Sequence, residues 1–203
     1  DMMVERLAAN PVVLQIPIGN EGDFIGVVDV LEMRALTWRG ETQKGEDYAV
    51  EAIPAELAAQ AAEYREKLLE QLADVDDSIA ERYLDGEEIP VQDLKAAIRK
   101  GTLANKLNPV LTGSAFKNKG VQPMLDAVVD YLPSPLDVPS IDGTLMDGET
   151  VEHRHSDESE PFSALAFKIA TDQHLGKLTY VRIYSGVVEN GAQILNSTKD
   201  RKE

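Results

Sequence analysis

The sequence predicts an α+β fold in which strands and helices occupy separate stretches of the chain. Three observations support this class. Two apolar runs flank the turn residues 19–23, which is the pattern of an antiparallel β-hairpin. Between residues 54 and 100, apolar residues recur every three or four positions, as on one face of a helix. After residue 161 the pattern changes to short apolar runs separated by glycine-containing turns, which indicates an all-β region.

The first 50 or so residues are predicted to consist mainly of strands. Apolar positions between Met3 and Ala8 have helical spacing, and Pro11 should follow the end of that short helix. Strands are expected over residues 12–16, 24–30 and 33–38. The first two should pair as a hairpin, and residues 40–47 are predicted to form a polar loop.

Four helices are expected in the middle of the chain. The longest has an apolar stripe, which is made of Leu57, Ala61, Tyr64, Leu68 and Leu72. We interpret this stripe as core packing, and a partner groove is the less favoured alternative. A short helix is expected around Ile79, and another should run from near Pro90 to just before Gly101. A strand at 109–112 then precedes a last helix, which Pro133 ends.

Composition divides the chain into three parts, at 1–133, 134–160 and 161–203. The middle part is rich in Pro, Gly, Ser and acidic residues without periodicity, and it is predicted to be an acidic linker. The last part holds three expected strands, over residues 162–169, 178–184 and 192–195, which are too few to close a barrel. We therefore expect an incomplete β-domain there.

The formal net charge of the whole chain is -16, which argues against DNA binding across its surface. The net charges of the three parts are -11, -7 and +2. RNA contact is therefore expected in the last part and a basic protein partner in the first. The simpler alternative to these partners is that the acidic surface only keeps the protein soluble.

The class of protein expected is cytoplasmic and not membrane-bound. Cysteine is absent, no signal peptide is visible, and no apolar run approaches the length of a membrane span. The chain begins with Asp rather than Met, which we interpret as a processed or truncated start, although Met2 or Met3 could be an initiator.

One fifteen-residue run carries most of the functional information. It reads Thr-Gly-Ser-Ala-Phe-Lys-Asn-Lys-Gly-Val-Gln-Pro-Met-Leu-Asp over residues 112–126. It follows an apolar strand and leads into a helix, so Gly113 is expected in a tight turn that exposes backbone amides.

The run resembles the fifth guanine-nucleotide motif of translational GTPases, in the form typical of the elongation factor G family. The resemblance implies that Ser114, Ala115 and Phe116 bind guanine, with Lys117 also at the pocket wall. In that family the amide at the position of Ala115 donates to guanine O6. Adenine carries an amino group there, which would leave the donor unpaired. An ordinary strand-to-helix loop is the alternative.

Two further stretches agree with this resemblance. Residues 14–30 look like the start of the insertion that elongation factor G carries between its fourth and fifth motifs, and the helices near 54–100 fit the rest of it. Residues 172–186 are similar to the opening of the β-barrel second domain of translational GTPases. The resemblance implies the end of a P-loop GTPase domain with its insertion, followed by the start of that barrel.

Most of the GTPase machinery is missing from the sequence. No Gly-x-x-x-x-Gly-Lys-Ser/Thr phosphate loop is present, and hydrolysis of GTP needs one to hold phosphates and Mg²⁺. The run Asn105-Lys106-Leu107-Asn108 only approaches Asn-Lys-x-Asp, since Asn108 lacks the carboxylate. We therefore expect no catalytic residue and no GTP, GDP or Mg²⁺ binding in this chain alone, although the full parent would use all three.

The resemblance implies a ribosomal translocase as the parent, which couples GTP hydrolysis to movement of tRNA and mRNA. The insertion would face the ribosomal stalk protein and the second domain would contact small-subunit rRNA, with Lys177 and Arg182 as candidate contacts. Those two residues are equally well explained as a solvated strand edge. A nucleotide-independent ribosome-docking adaptor, or a ribosome-protection or recycling paralogue, are the alternatives.

Other groups of polar residues are weaker candidates for a functional site. His153 and His155 form a His-x-His pair, but an isolated pair is usually incidental, so no metal site is expected. Asp76 and Asp77 are better explained as charges at a helix start than as a catalytic pair.

Overall fold

The computed structural model describes residues 2–40, 45, 47–145 and 147–202. The chain divides after Leu132 into two compact units. Five α-helices and several antiparallel sheets in the described residues confirm the α+β class. Within the same residues, no helix has the length and apolar character needed to cross a bilayer. The loop predicted over 40–47 lies largely outside the described residues.

The first unit contains a four-stranded antiparallel sheet in the order β2-β3-β4-β5. Its strands are β2 (Gln15–Ile18), β3 (Gly26–Asp29), β4 (Arg34–Thr37) and β5 (Ala49–Glu51). Strands β2 and β3 form the predicted hairpin, with Ile16 opposite Val28. Strand β5 was not predicted, because its three residues include no buried side chain and therefore no apolar pattern.

A second, two-stranded sheet pairs distant parts of the first unit. Strand β1 (Pro11–Val13) runs parallel to β6 (Asn108–Val110). Leu14 joins this sheet to the larger one, because its amide donates to Val110 and its carbonyl accepts from Val30. The single strand predicted over 12–16 is therefore two strands, each paired in a different sheet.

The first unit contains five described helices. They are α1 (Met2–Leu7), α2 (Ala55–Ala73), α3 (Asp77–Leu84), α4 (Val91–Leu103) and α5 (Val121–Tyr131). The apolar stripe of α2 packs into the main core, where Ala61, Leu68 and Leu72 are at most 1% exposed. The prediction of core packing is confirmed.

Gly101 departs from the prediction that it follows the end of a helix. It lies inside α4 and is buried. A Cβ atom at Gly101 would lie 2.5 Å from Leu107 Cδ1, so the glycine allows the chain after α4 to pack closely against the helix.

The second unit consists, in its described part, of strands paired two by two. They are β7 (Ile141–Thr144) with β8 (Val151–Arg154), β9 (Ser163–Asp172) with β10 (Gly176–Ser185), and β11 (Leu195–Asn196) with β12 (Arg201–Lys202). The strand predicted over 192–195 is shorter and begins at Leu195.

The segment 134–160 is not the irregular linker that the sequence predicts. It contains the β7–β8 hairpin and clusters with the later strands in the second unit. The hairpin was not predicted because no side chain of β7 or β8 is buried. Strands that bury no face do not need alternating apolar residues, and that alternation is the sequence signal of a strand.

Candidate functional site

The candidate guanine-binding residues follow strand β6, whose carboxyl end lies beside that of β1. The register aligns Val13 with Val110. Both strands point the same way, so the turn over 112–120 leaves the sheet at its carboxyl edge. In sheets with parallel strands, this edge is where ligands bind.

The turn is closed by its own backbone. Ser114 and Lys119 form an antiparallel bridge, with Ser114 N donating to Lys119 O at 2.8 Å and Lys119 N donating back at 3.0 Å. A short 3-10 helix, Ala115–Lys117, lies inside the bridge. Gly120 ends the turn at a φ of +84°, and a Cβ there would lie 3.0 Å from Thr112 O. Glycine is therefore required at this position.

The three predicted guanine-binding residues are brought together on an exposed surface. Ser114 is half-buried, Ala115 is exposed and the Phe116 side chain is 99% exposed. The bridge uses the amides of Ser114 and Lys119, and the Ala115 amide makes no hydrogen bond to another described residue. That amide is consequently available to an acceptor outside the protein.

The Lys117 side chain forms hydrogen bonds within the protein that stabilise the turn. Its Nζ donates to Glu21 O at 3.2 Å and to Gly22 O at 3.3 Å. The side chain that was expected at the pocket wall thus ties the turn to the loop between β2 and β3.

Lys119 is a second anchor that sequence reasoning missed. It is 9% exposed and its Nζ donates to Phe24 O at 3.3 Å. A lysine between two turn residues gives no sequence signal of burial, because lysine is usually exposed. Its contact with Phe24 joins residues 95 positions apart in the sequence.

Gly45, which lies between β4 and β5, also supports the turn, and the sequence does not predict this role. Its carbonyl accepts from Trp38 Nε1 at 2.8 Å. A Cβ at Gly45 would lie 1.9 Å from Asn118 O, so the backbone of this residue packs directly on the turn. The turn is held by contacts from residues that are far apart in sequence.

The two candidate RNA-contacting residues do not form one cluster. Lys177 and Arg182 are both exposed on β10 and lie opposite Thr171 and Leu165, respectively. They are roughly 16 Å apart along the strand, and an odd separation in a strand directs side chains to opposite faces. They cannot form a single flat contact patch.

The two histidines bind different carboxylates. His153 Nδ1 lies 2.6 Å from Asp142 Oδ1, across the β7–β8 hairpin, and His155 Nδ1 lies 2.7 Å from Glu160 Oε1. The His155 contacts lower the pKa of Glu160. Among the residues that the structure describes, no group of three or more His, Asp or Glu side chains could hold a metal ion.

Asp76 has the helix-start role that the sequence predicts. It is the N-cap of α3 and accepts from Ser78 N at 3.0 Å. Lys100 Nζ also lies 2.8 Å from its Oδ2. The hydrogen bonds from Lys100 and Ser78 lower the pKa of Asp76 from 3.8 to about 2.

Comparison with known proteins gives a fold and a relative length. No family model matches the chain. A crystal structure of a protein from Thermus thermophilus is similar, with a TM-score of 0.68 and 22% sequence identity. The match covers 95% of this chain and 26% of that protein. The chain therefore spans about a quarter of the length of this solved structure, and at this identity the likeness shows the fold alone.

Proposed function

We propose that this chain is part of a translational GTPase of the elongation factor G kind, in which it supplies one wall of the guanine pocket. The observation that carries the proposal is the amide of Ala115, which donates to no other described residue and belongs to an exposed residue in a turn at the carboxyl edge of two parallel strands. A backbone donor in this place selects a purine with an oxygen at position 6. Guanine has that oxygen and adenine does not.

The small side chain of Ala115 supports the proposal. A methyl group leaves room for a base to approach the backbone, whereas a longer side chain would cover the amide. Ser114 is half-buried beside it and Phe116 projects into solvent. In the proposed parent, Phe116 packs at the edge of the base, which would remove its exposed ring from water.

The chain alone is proposed not to bind or hydrolyse GTP. One amide contributes about 1 kcal/mol, which is far below the free energy of micromolar binding. The phosphates and Mg²⁺ need a Gly-x-x-x-x-Gly-Lys-Ser/Thr loop, which this sequence lacks. The proposed parent uses GTP hydrolysis to move tRNA and mRNA on the ribosome, with the stalk protein and small-subunit rRNA as partners.

Calorimetric titration of nucleotides into the product of the complete gene tests this proposal. We expect GDP and GTP to bind and ATP not to bind, whereas the 203-residue chain binds none of them. The Ala115→Leu variant of the complete product should bind GDP at least roughly tenfold more weakly, because the longer side chain covers the amide. Ala58→Leu is the matched control, since Ala58 is also exposed but lies on α2.

Two results would overturn the proposal. Tight GDP binding by the 203-residue chain would show that the pocket is built differently. A complete gene product that binds ribosomes but no guanine nucleotide would identify a docking adaptor instead.

A further inference from the structure

Two lysine side chains attach the candidate guanine-binding turn to the connection between β2 and β3. Lys117 Nζ donates to the backbone carbonyls of residues 21 and 22. Lys119 Nζ donates to the carbonyl of Phe24 at 3.3 Å. The two attachments end on neighbouring residues of one connection, and they differ in how strongly each can fix the position of the turn.

Exposure to water separates the two attachments. Lys117 is exposed, so water competes for its hydrogen bonds. Lys119 is only 9% exposed, and a buried ammonium group that loses its acceptor carries a large desolvation penalty. The contact between Lys119 and Phe24 is therefore the stronger restraint on the turn.

The acceptor of Lys119 belongs to a well-packed part of the first unit. The Phe24 side chain is 7% exposed, and it forms a buried cluster with Val27, Leu36 and Trp38. The next residue, Ile25, donates its amide to Ile18 O at 3.0 Å and accepts from Trp38 N at 2.9 Å. Lys119 thus ties the turn to backbone that is held by both a core cluster and the sheet.

Two backbone hydrogen bonds connect Lys119 to the residue before Ala115. Ser114 N donates to Lys119 O at 2.8 Å, and Lys119 N donates to Ser114 O at 3.0 Å. Because Ala115 follows Ser114 directly, the position of its amide depends on this pair. Favourable N–H···O distances span only about 0.5 Å, so a small displacement of the pair is enough to weaken a hydrogen bond from the Ala115 amide to a ligand.

We propose, on the basis of the guanine-binding function proposed above, that Lys119 is a positioning residue for guanine recognition. Its buried ammonium group holds the turn so that the Ala115 amide meets the oxygen at position 6 of the base. Because Lys119 Nζ is bonded to Phe24 O, the lysine acts through the turn and does not touch the nucleotide. Part of the specificity for guanine is thereby assigned to a side chain outside the pocket.

Titration of GDP and 6-thio-GDP into the product of the complete gene tests this role. The second nucleotide differs from GDP only at position 6, where sulfur is a weaker acceptor than oxygen. Lys119→Met keeps an unbranched side chain and removes the ammonium group. We expect this variant to bind GDP about fivefold more weakly and 6-thio-GDP less than about twofold more weakly, because the displaced amide loses a hydrogen bond that is strong only to oxygen.

The preference for GDP over 6-thio-GDP separates positioning from stability. A variant that is only less stable binds both nucleotides more weakly by the same factor, so its preference does not change. Lys119→Gln is a second variant in case the methionine variant folds poorly. Its amide keeps a polar group at this position, but the side chain is shorter than lysine by one bond and loses the contact with Phe24 O, so the same selective loss is expected.

Lys95→Met is the matched control. Lys95 is also a partly buried lysine, and its Nζ lies 2.7 Å from a carboxylate oxygen of Asp130 near the end of α5. Removing this ammonium group should lower stability without changing the preference for GDP, because the contact does not involve the pair that positions Ala115.

Three results would overturn the positioning role while the complete product still binds GDP. They are equal weakening of both nucleotides by the two Lys119 variants, unchanged affinity for both, and equal affinity of the unchanged product for the two nucleotides. Failure of both variants to fold would assign Lys119 to stability alone and would likewise overturn the role. Failure of the unchanged product to bind GDP would instead reject the proposed function, and with it any part of Lys119 in guanine recognition.

Discussion

The two units of this protein differ in how they use their apolar residues. All 23 buried apolar side chains of the described chain lie between Val12 and Tyr131. In the described residues after 132, Ser185 alone is buried, whereas Leu165, Phe167 and Ile169 of β9 are each more than half exposed. Apolar strands therefore do not imply a core. Packing of helices on sheets creates one in the first unit, whereas the described strand pairs of the second unit, which are mostly exposed, do not form one.

Separating the two units tests this comparison with the largest expected effect. We expect residues 1–132 alone to unfold cooperatively, because both clusters of buried hydrophobic residues in the described chain lie within that range. Residues 133–203 alone should show no cooperative transition, since isolated hairpins are marginally stable in water. Urea unfolding, followed by Trp38 fluorescence for the first piece and by circular dichroism for the second, measures the difference.

Slow amide exchange throughout β9 and β10 in the isolated second piece would contradict this expectation. So would the loss of the cooperative transition from the first piece, which would mean that the first unit depends on the second.

A pair of leucine substitutions makes the same comparison at single residues. Leu72 is fully buried in the main core and Leu165 is 54% exposed. Leu72→Ala should lower the free energy of unfolding by about 2–5 kcal/mol, whereas Leu165→Ala should change it by less than about 0.5 kcal/mol. Urea unfolding of both variants in the intact chain measures these changes. A loss of similar size in both would show that β9 is covered in solution.

The same difference explains how much of the fold was predictable from sequence. The α2 stripe was found because Ala61, Leu68 and Leu72 repeat at the helical period and are buried on one face. The β7–β8 hairpin was missed because its strands bury nothing. Hydrophobic periodicity indicates an element that buries one face. It gives no signal for an element whose two faces are both exposed to solvent.

Prediction of the candidate site was limited by contacts between distant residues. Ser114, Ala115 and Phe116 could be predicted from the sequence because they are consecutive residues, and consecutive residues of a tight turn lie close together in the structure. The supports of the turn could not be predicted in this way. Lys119 reaches Phe24, and Gly45 packs on Asn118, and no local pattern encodes either contact.

A smaller effect than that of Leu72→Ala is expected for a charge at the surface of the first unit, and it compares electrostatic stabilisation with core packing. Asp76 caps α3 and pairs with Lys100, and its pKa is lowered to about 2. Asp76→Asn keeps an N-cap acceptor but removes the charge. Because the Lys100 side chain is 62% exposed, solvent screens the pair, and we expect a loss of about 1 kcal/mol at neutral pH.

The pH dependence of this loss identifies its cause. A carboxylate with a lowered pKa stabilises the folded state fully above its unfolded pKa of 3.8, and the stabilisation disappears as the pH falls through the folded value of about 2. The difference in unfolding free energy between the two proteins should therefore be constant from about pH 7 to about 5 and should vanish between about pH 4 and 2. Urea unfolding across this range measures it. A difference that persists unchanged at about pH 2 would assign the loss to helix-cap geometry rather than to charge, and the ionic contribution of Asp76 would then be negligible beside the core.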